Sequence, residues 1–322
     1  MLTTKKLKNF GKLHPRAIVA FGVFDGLHRG HQALIRRLVE RARRGGRRGA
    51  NSVALTFDPH PQLALNKNKR PMILTTLSEK EELLAELGVD VMGIIRFSRT
   101  TAKLSPADFV RNVLVKKLAA AEVICGEDCG FGRGRAGDLN MLRALGKEHG
   151  FAVSSLCLRS YRREKISSTK IREALLAGGL ATANRMLGRP YQLSGTVARG
   201  CRIGRTLGYR TANMAVKDKS KLIPASGVYA ATAAIAGRQY PGMLYIGCRP
   251  TFRGGSKRQI EFNAFGAKKN FYGRKIDLKL IRYIRPERTF ASAAILKKAI
   301  GSDEKTIRKI FLRSAIDIPA SM

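Results

Sequence analysis

Residues 17–40 read AIVAFGVFDGLHRGHQALIRRLVE, and the architecture of the first half of the chain follows from this stretch. Ala17–Phe21 is a short continuous apolar run, the pattern of a buried strand. Ala33, Leu34, Leu38 and Val39 recur at helical spacing, so a helix begins close to His31. Between strand and helix lie His28 and His31, three residues apart, with Gly30 between them. A strand-to-helix turn points free backbone N–H groups and the positive end of the helix dipole at one place, which favours phosphate. Two imidazoles there add donors for phosphate oxygens. A capped surface turn with two solvated histidines fits the same few residues, because so short a motif often matches by chance.

The alternation continues beyond this unit. Strands are expected at Ser52–Phe57, Val91–Phe97, Glu122–Cys125 and Ala152–Leu158. Helices are expected at Glu79–Leu87, at Thr169–Leu176, from Asp138 to about His149, and from Ser105 through apolar residues to Ala121. The last of these carries Ser105 as cap, Pro106 in the first turn and Asp108 close behind. Such alternation builds a parallel sheet with helices on both faces, and ligands gather at the carboxyl ends of its strands. From Tyr191 the segments become short, β-rich and punctuated by glycine or proline: Tyr191–Ala198, Val228–Ile235, Met243–Ile246, Gln259–Phe265 and Ile276–Tyr283. That rhythm predicts a small antiparallel barrel, closed by a helix over Ala291–Leu312. The fold class is therefore α/β followed by a β-barrel, with domains at 1–186 and 187–322.

The 322 residues carry a formal charge of +38, spread over both halves: 34 Lys/Arg against 16 Asp/Glu in residues 1–185, and 27 against 7 in residues 186–322. This attracts polyanions and admits non-specific nucleic-acid binding. Aromatics make up 7% and Trp is absent, however, so stacking platforms for single strands are sparse. No apolar run approaches the length of a transmembrane helix, and the basic N-terminus lacks the apolar segment of a secretory signal; a cytoplasmic protein without a membrane partner is expected. The five cysteines, Cys125, Cys129, Cys157, Cys201 and Cys248, have no second Cys/His pair at zinc-site spacing and read as reduced thiols.

Five motifs in the first half occur in a telling order: GVFDGLHRGHQ (22–32), TFDPHPQ (56–62), ILTTLSEK (73–80), ICGEDCGFGRGRAGD (124–138) and ISSTKIREAL (166–175). Together they resemble the HIGH-type nucleotidylyltransferase superfamily and, more narrowly, the bacterial FAD synthetase module. The resemblance implies adenylyl transfer: the FMN phosphate attacks the α-phosphorus of ATP and pyrophosphate leaves. It implies an ATP site at Gly22, Phe24, His28, Gly30, His31, Ser168, Thr169 and Arg172, with His28 and His31 catalytic. Asp58, Pro59, His60 and Asp128 would line the FMN side. Cys129-Gly130 stands where the pattern has Phe-Arg, and Lys170 where it has Arg, which loses a bidentate fork.

In the second half, a glycine-rich loop runs from Gly204 through Gly208 to Thr211-Ala212-Asn213. It offers N–H groups to phosphate, and a hydroxyl and an amide carbonyl to a metal. Taken alone it reads equally as two β-turns. Gly227-Val228-Tyr229, Ile246–Phe252, Glu261, Tyr272-Gly273 and Ile284–Glu287 follow in order. This half resembles riboflavin kinase, a six-stranded barrel that phosphorylates the ribityl hydroxyl with MgATP. The resemblance implies that Gly204, Gly208, Thr211 and Asn213 serve ATP and Mg²⁺, and that Glu261 is the general base. Arg210 replaces the pattern's proline and loosens that turn; Ser226 and Asn263 stand in place of its Asn and His. The whole order implies a bacterial bifunctional riboflavin kinase/FAD synthetase acting on ATP, riboflavin and FMN. Two alternatives remain at this point: another HIGH-type adenylyltransferase, and a basic nucleic-acid-binding protein reusing the fold. Oligomeric state has no signal.

Overall fold

The computed structural model describes residues 1–7, 10–13, 16–44, 50–65, 72–157, 166–198, 209, 211–250, 256–267 and 271–316. The chain divides into two compact units, Met1–Ser168 and Thr169–Met322.

The first unit is built on a six-stranded sheet: β1 (Leu2–Thr4), β2 (Ala17–Phe21), β3 (Ser52–Asp58), β4 (Val91–Arg96), β5 (Ala120–Gly126) and β6 (Ala152–Leu156). The spatial order is β1-β4-β3-β2-β5-β6, and every pairing is parallel. Alternate residues of each strand face opposite sides. Ile18 and Ala20 join Ala54, Met92 and the helix residues Leu34, Ile35, Leu38, Val39 and Leu84 on one side. Ala17 and Val19 join Val53, Val123, Phe109, Leu114 and Leu142 on the other. Both faces are thus covered, which is why the strands read as unbroken apolar runs. From β2 the chain proceeds outward to β3 and β4, then returns to place β5 on β2's other flank. That reversal opens a crevice at the carboxyl ends of β2 and β5.

The helix expected from Ser105 to Ala121 is shorter. Ser105 does cap it, its hydroxyl accepting from Asp108 N, but Pro106–Phe109 gives way to a π-helical stretch at Val110–Val115. Ala119 takes a left-handed φ of 45°, and β5 begins at Ala120. Apolar content at Ala119–Ala121 suits helix and strand alike, so periodicity alone did not place the break. The strand β1 and the helix Leu180–Leu187 are further additions to the sequence reading.

The second unit closes β7 (Tyr191–Ala198), β8 (Ala212–Ala215), β9 (Gly227–Ile235), β10 (Arg238–Pro250), β11 (Ser256–Ala264) and β12 (Lys275–Pro286) into a barrel of order β10-β11-β8-β7-β12-β9. Leu193, Val197, Leu244, Ile246, Phe262 and Leu278 are among its buried residues. The sequence delineated five of the six strands; β8 is four residues long and emerges from the glycine-rich loop. The closing helix, Ala293–Ile316, packs Ile307 against Val228, Ala230 and Met243. A two-pronged ion pair ties it down: Arg285 at the end of β12 donates from Nε and Nη2 to the Asp303 carboxylate at 2.8–3.1 Å, with both side chains largely buried.

Candidate active sites

In the first unit the turn after β2 is tight and buried. Phe24 (φ 50°) and Leu27 (φ 39°) both occupy the left-handed region, which non-glycine residues rarely enter. Their side chains are only 2% and 1% exposed, so burial compensates the backbone strain. His28 caps the helix Arg29–Arg43, its Nδ1 accepting from His31 N at 3.4 Å. The two imidazoles stack with centroids 3.7 Å apart and planes 15° apart, and the Phe24 ring meets His31 edge-on at 5.5 Å. His31 Nδ1 is buried without a hydrogen-bond partner. Burial, reinforced by the charges of His28 and Lys80, holds the His31 imidazole well below its usual pKa. A neutral ring with an unsatisfied nitrogen, one helical turn from free N–H groups, is suited to an oxyanion ligand.

The other groups at this end of the sheet converge on the same loop. Gly22 N donates to Leu55 O at 3.0 Å, binding the loop's start to β3. Ser168, the last residue of the unit, donates its hydroxyl to Asp25 O at 2.9 Å, which places it beside the turn bearing His28. The Asp25 carboxylate accepts from Leu74 N, Thr75 N and Thr75 Oγ1 at 2.9, 3.1 and 3.3 Å. Lys80 reaches into the same region, donating to Val23 O at 2.7 Å and Thr56 Oγ1 at 3.0 Å. Burial pushes its pKa down to about 8, against the pull of Asp25 and Asp58. Thr169 and Arg172 belong to the second unit, where Thr169 is exposed and Arg172 half-buried.

Asp58 ends β3, Pro59 and His60 follow it, and Asp128 lies exposed in the turn after β5, so they flank β2's carboxyl end from neighbouring strands. Asp58 pairs with Lys5 at 3.2 Å, and His60 Nδ1 accepts from Gln62 N at 3.2 Å. In that second loop Cys129 N closes a turn onto Gly126 O at 3.0 Å. The buried Cys125 thiol donates to Cys129, which raises the pKa of Cys125 and lowers that of Cys129.

In the second unit strand register brings together residues 48 positions apart. Glu261 on β11 lies directly opposite Asn213 on β8 and, on its other side, opposite Tyr245 on β10. Directly opposed residues share a sheet face. Because Ile260 and Phe262 are buried at 5% and 0%, the half-buried Glu261 lies on the other, outer face with Asn213 and Tyr245. Thr211 immediately precedes β8. Gly204, Gly208 and Arg210 lie outside the described residues. Ser226 O accepts from the Tyr283 hydroxyl at 3.1 Å, and Asn263 is in register with Met243. The Tyr245 hydroxyl donates to Glu287, and Tyr209 is hydrogen-bonded with Glu304 of the closing helix. Among the described residues no group of three or more His, Cys, Asp or Glu could hold a metal ion. The oxygen donors of Thr211 and Asn213 suit a hard cation brought in by a nucleotide.

Asp25, Thr56, Thr75, Lys80 and Tyr245 are additions to the residues chosen from sequence. Lys80 had a readable signal: it shares a helical stripe with Leu77, Leu84 and Leu87, where an apolar residue is the norm. Asp25 had none, since its partners come from residues 74 and 75.

Residues 11–170 match the FAD synthetase family model and residues 187–311 the riboflavin kinase family model. The bifunctional riboflavin kinase/FMN adenylyltransferase of Escherichia coli K12 is 38% identical over 91% of this chain and 92% of its own length. That of Listeria monocytogenes is 37% identical over 92% and 93%. A solved Streptococcus pneumoniae structure, described as a macrolide-efflux protein, superposes with TM-score 0.84 at 30% identity, covering 95% of this chain and 98% of that one. Efflux is not carried over from that description, and among the described residues no helix is long and apolar enough to cross a membrane. Two domain matches in this order, with relatives aligned along nearly their whole length, place the chain in the family of bifunctional riboflavin kinase/FMN adenylyltransferases.

Proposed function

We propose that the two activities of this family, conversion of riboflavin to FMN and of FMN to FAD, are divided between residues 187–322 and residues 1–186 respectively, and that the residues described above carry them. For adenylyl transfer, the supporting observation is the stacked His28–His31 pair with its orphaned buried nitrogen. The reaction needs positioning and charge neutralisation more than covalent help from the protein. The imidazoles and the N–H group of Gly30 hold the ATP phosphates, with Gly22 and Phe24 shaping the turn. Ser168 extends the same anion site. Asp58, Pro59, His60 and Asp128 border FMN, whose phosphate oxygen attacks the α-phosphorus while pyrophosphate departs.

For the kinase, the register of Glu261 opposite Asn213 supports the reading. Glu261 takes the proton from the ribityl hydroxyl as that oxygen attacks the γ-phosphorus of ATP, and ADP leaves. Thr211 and Asn213, with the loop from Gly204 to Gly208, would hold the nucleotide phosphates and Mg²⁺, which when bound would supply neutralisation of phosphate charge. We place the enzyme in the cytoplasm, where ATP and flavins meet.

The assay is incubation with riboflavin, ATP and Mg²⁺ followed by separation of the flavins. His31→Gln is expected to stop at FMN, losing about 100- to 1000-fold in FAD formation, the scale of one lost oxyanion donor. Full FAD formation by that variant refutes the role of His31.

A further inference from the structure

We propose that Lys80 is a positioning residue of the adenylyl-transfer site: its buried ammonium fastens the loop after β2 and supplies a fixed positive charge that the anionic substrates neutralise. This rests on the reading of His28 and His31 as phosphate contacts.

The lysine is held from both ends. Its helix, Leu77–Glu86, starts in a capping box in which Thr76 Oγ1 accepts from Glu79 N and Glu79 accepts from Thr76 N. Such a start fixes the first turn, and Lys80 N bonds Thr76 O at 2.9 Å. At the other end the ammonium, 5% exposed as a residue, donates to two neutral oxygens. One is Val23 O, in the turn between β2 and His28; the other is Thr56 Oγ1, near the carboxyl end of β3. Thr56 Oγ1 also donates to Val23 O at 3.2 Å, so the lysine and these two groups are locked together. Loop position and charge position are therefore set by one side chain.

Among the described residues the charge has no directly paired carboxylate, and Asp25 and Asp58 act on it only from a distance. Of the carboxylates nearest in field, Asp25 is occupied by Leu74, Thr75 and the Thr75 hydroxyl, and Asp58 pairs with Lys5. Among the described residues no carboxylate stands within ion-pair distance of Lys80. A buried cation without a counter-ion is costly. It is retained most readily where a ligand brings the counter-charge, and the ATP and FMN phosphates of the neighbouring turn do so. The same field reaches His31 and helps keep that ring neutral. The groups facing Lys80 are Asp25 from the turn, Asp58 from β3 and His31 from the helix that follows the turn.

The test is the pH dependence of kcat/KM for FMN adenylylation in wild type and Lys80→Met, with circular dichroism of both proteins as the folding control and riboflavin phosphorylation as a check that the second unit is untouched. In wild type the rate constant is expected to fall above about pH 8, as the ammonium loses its proton. In Lys80→Met it is expected to be about 100-fold lower, the scale of a misplaced reacting geometry. The alkaline limb should be absent, and kinase activity unchanged. NMR titration of His31 should give a higher midpoint in Lys80→Met than in wild type. Thr56→Val removes one bond from the ammonium and one neutral bond to Val23 O but leaves the ammonium and its bond to Val23 O in place; it is expected to lose less than Lys80→Met and to keep the limb. Wild-type adenylylation or a persistent alkaline limb in Lys80→Met overturns the proposal, as does an unmoved His31 midpoint. If His31→Gln retains full FAD formation, the phosphate-contact reading fails instead, whatever the His31 titration does.

Discussion

The buried ammonium of Lys80 makes a quantitative prediction about stability as well as rate. Its pKa falls from 10.5 in the unfolded chain to about 8 in the fold, with burial as the main cause. At 1.36 kcal/mol per pH unit this amounts to about 3 kcal/mol. The sign follows from proton counting. Between pH 8 and 10.5 the unfolded chain binds more protons at this site than the folded one, so stability rises with pH across that window. Below pH 8 both states are protonated, and the folded protein carries the full cost of the buried charge. Replacing Lys80 with Met removes the cost and keeps the apolar stem. The assay is urea denaturation followed by circular dichroism at half-unit steps from pH 7 to 10.5, comparing the two proteins. Relative to Lys80→Met, wild type is expected to gain about 3 kcal/mol over this range, most of it above pH 8. Taking the difference cancels the titrating groups that do not interact with Lys80. Parallel stability curves would refute the claim that desolvation of Lys80 outweighs the attraction of Asp25 and Asp58.

Further expectations concern the other named groups. Because the His31 pKa is lowered mainly by burial, with His28 and Lys80 adding to the shift, its NMR titration midpoint should lie below 6.5; a midpoint at or above 6.5 would contradict a buried ring. The same shift means that the stability contributed by neutral His31 is complete above pH 6.5 and is lost as pH falls from there toward its folded pKa. Asp303→Asn leaves Arg285 partly buried without its partner and should cost about 3 kcal/mol, near the low end for a broken buried pair because Arg285 keeps 16% side-chain exposure; a change within ~0.5 kcal/mol by denaturant titration would make the pair ornamental. Cys129, with its lowered pKa, should alkylate with iodoacetamide well before the buried Cys125, read by peptide mass spectrometry; the reverse order would contradict the direction of the thiol hydrogen bond.

Much of the fold was legible because the local signals were strong. The strand Ala17–Phe21 matches to the residue, since an apolar run ending at Gly22 leaves little choice. Asp138 capping a helix to His149, closed by Gly150 at φ 77°, carries start and stop signals together. The β8 strand was not legible as a strand: four residues within a glycine-rich motif show no periodicity, and β8 is fixed by its partners β7 and β11. The sites divide the same way. His28, His31, Asn213 and Glu261 carry their chemistry in residue type and motif. Asp25, Thr56 and Thr75 matter through contacts across 30 to 50 residues of chain, which no local pattern encodes. The register of Glu261 opposite Asn213 is likewise a product of barrel closure.

The central claim is that two separate sites in one chain make FMN and then FAD, and flavin product analysis of Glu261→Gln tests it most directly. Supplied with riboflavin, ATP and Mg²⁺, this variant should form FMN about 100- to 10,000-fold more slowly than wild type, the range for a lost general base. Supplied with FMN instead of riboflavin, it should form FAD at the wild-type rate. Wild-type FMN production would remove Glu261 from the kinase reaction. Loss of FAD formation from supplied FMN would contradict the division of the two activities between the two ends of the chain.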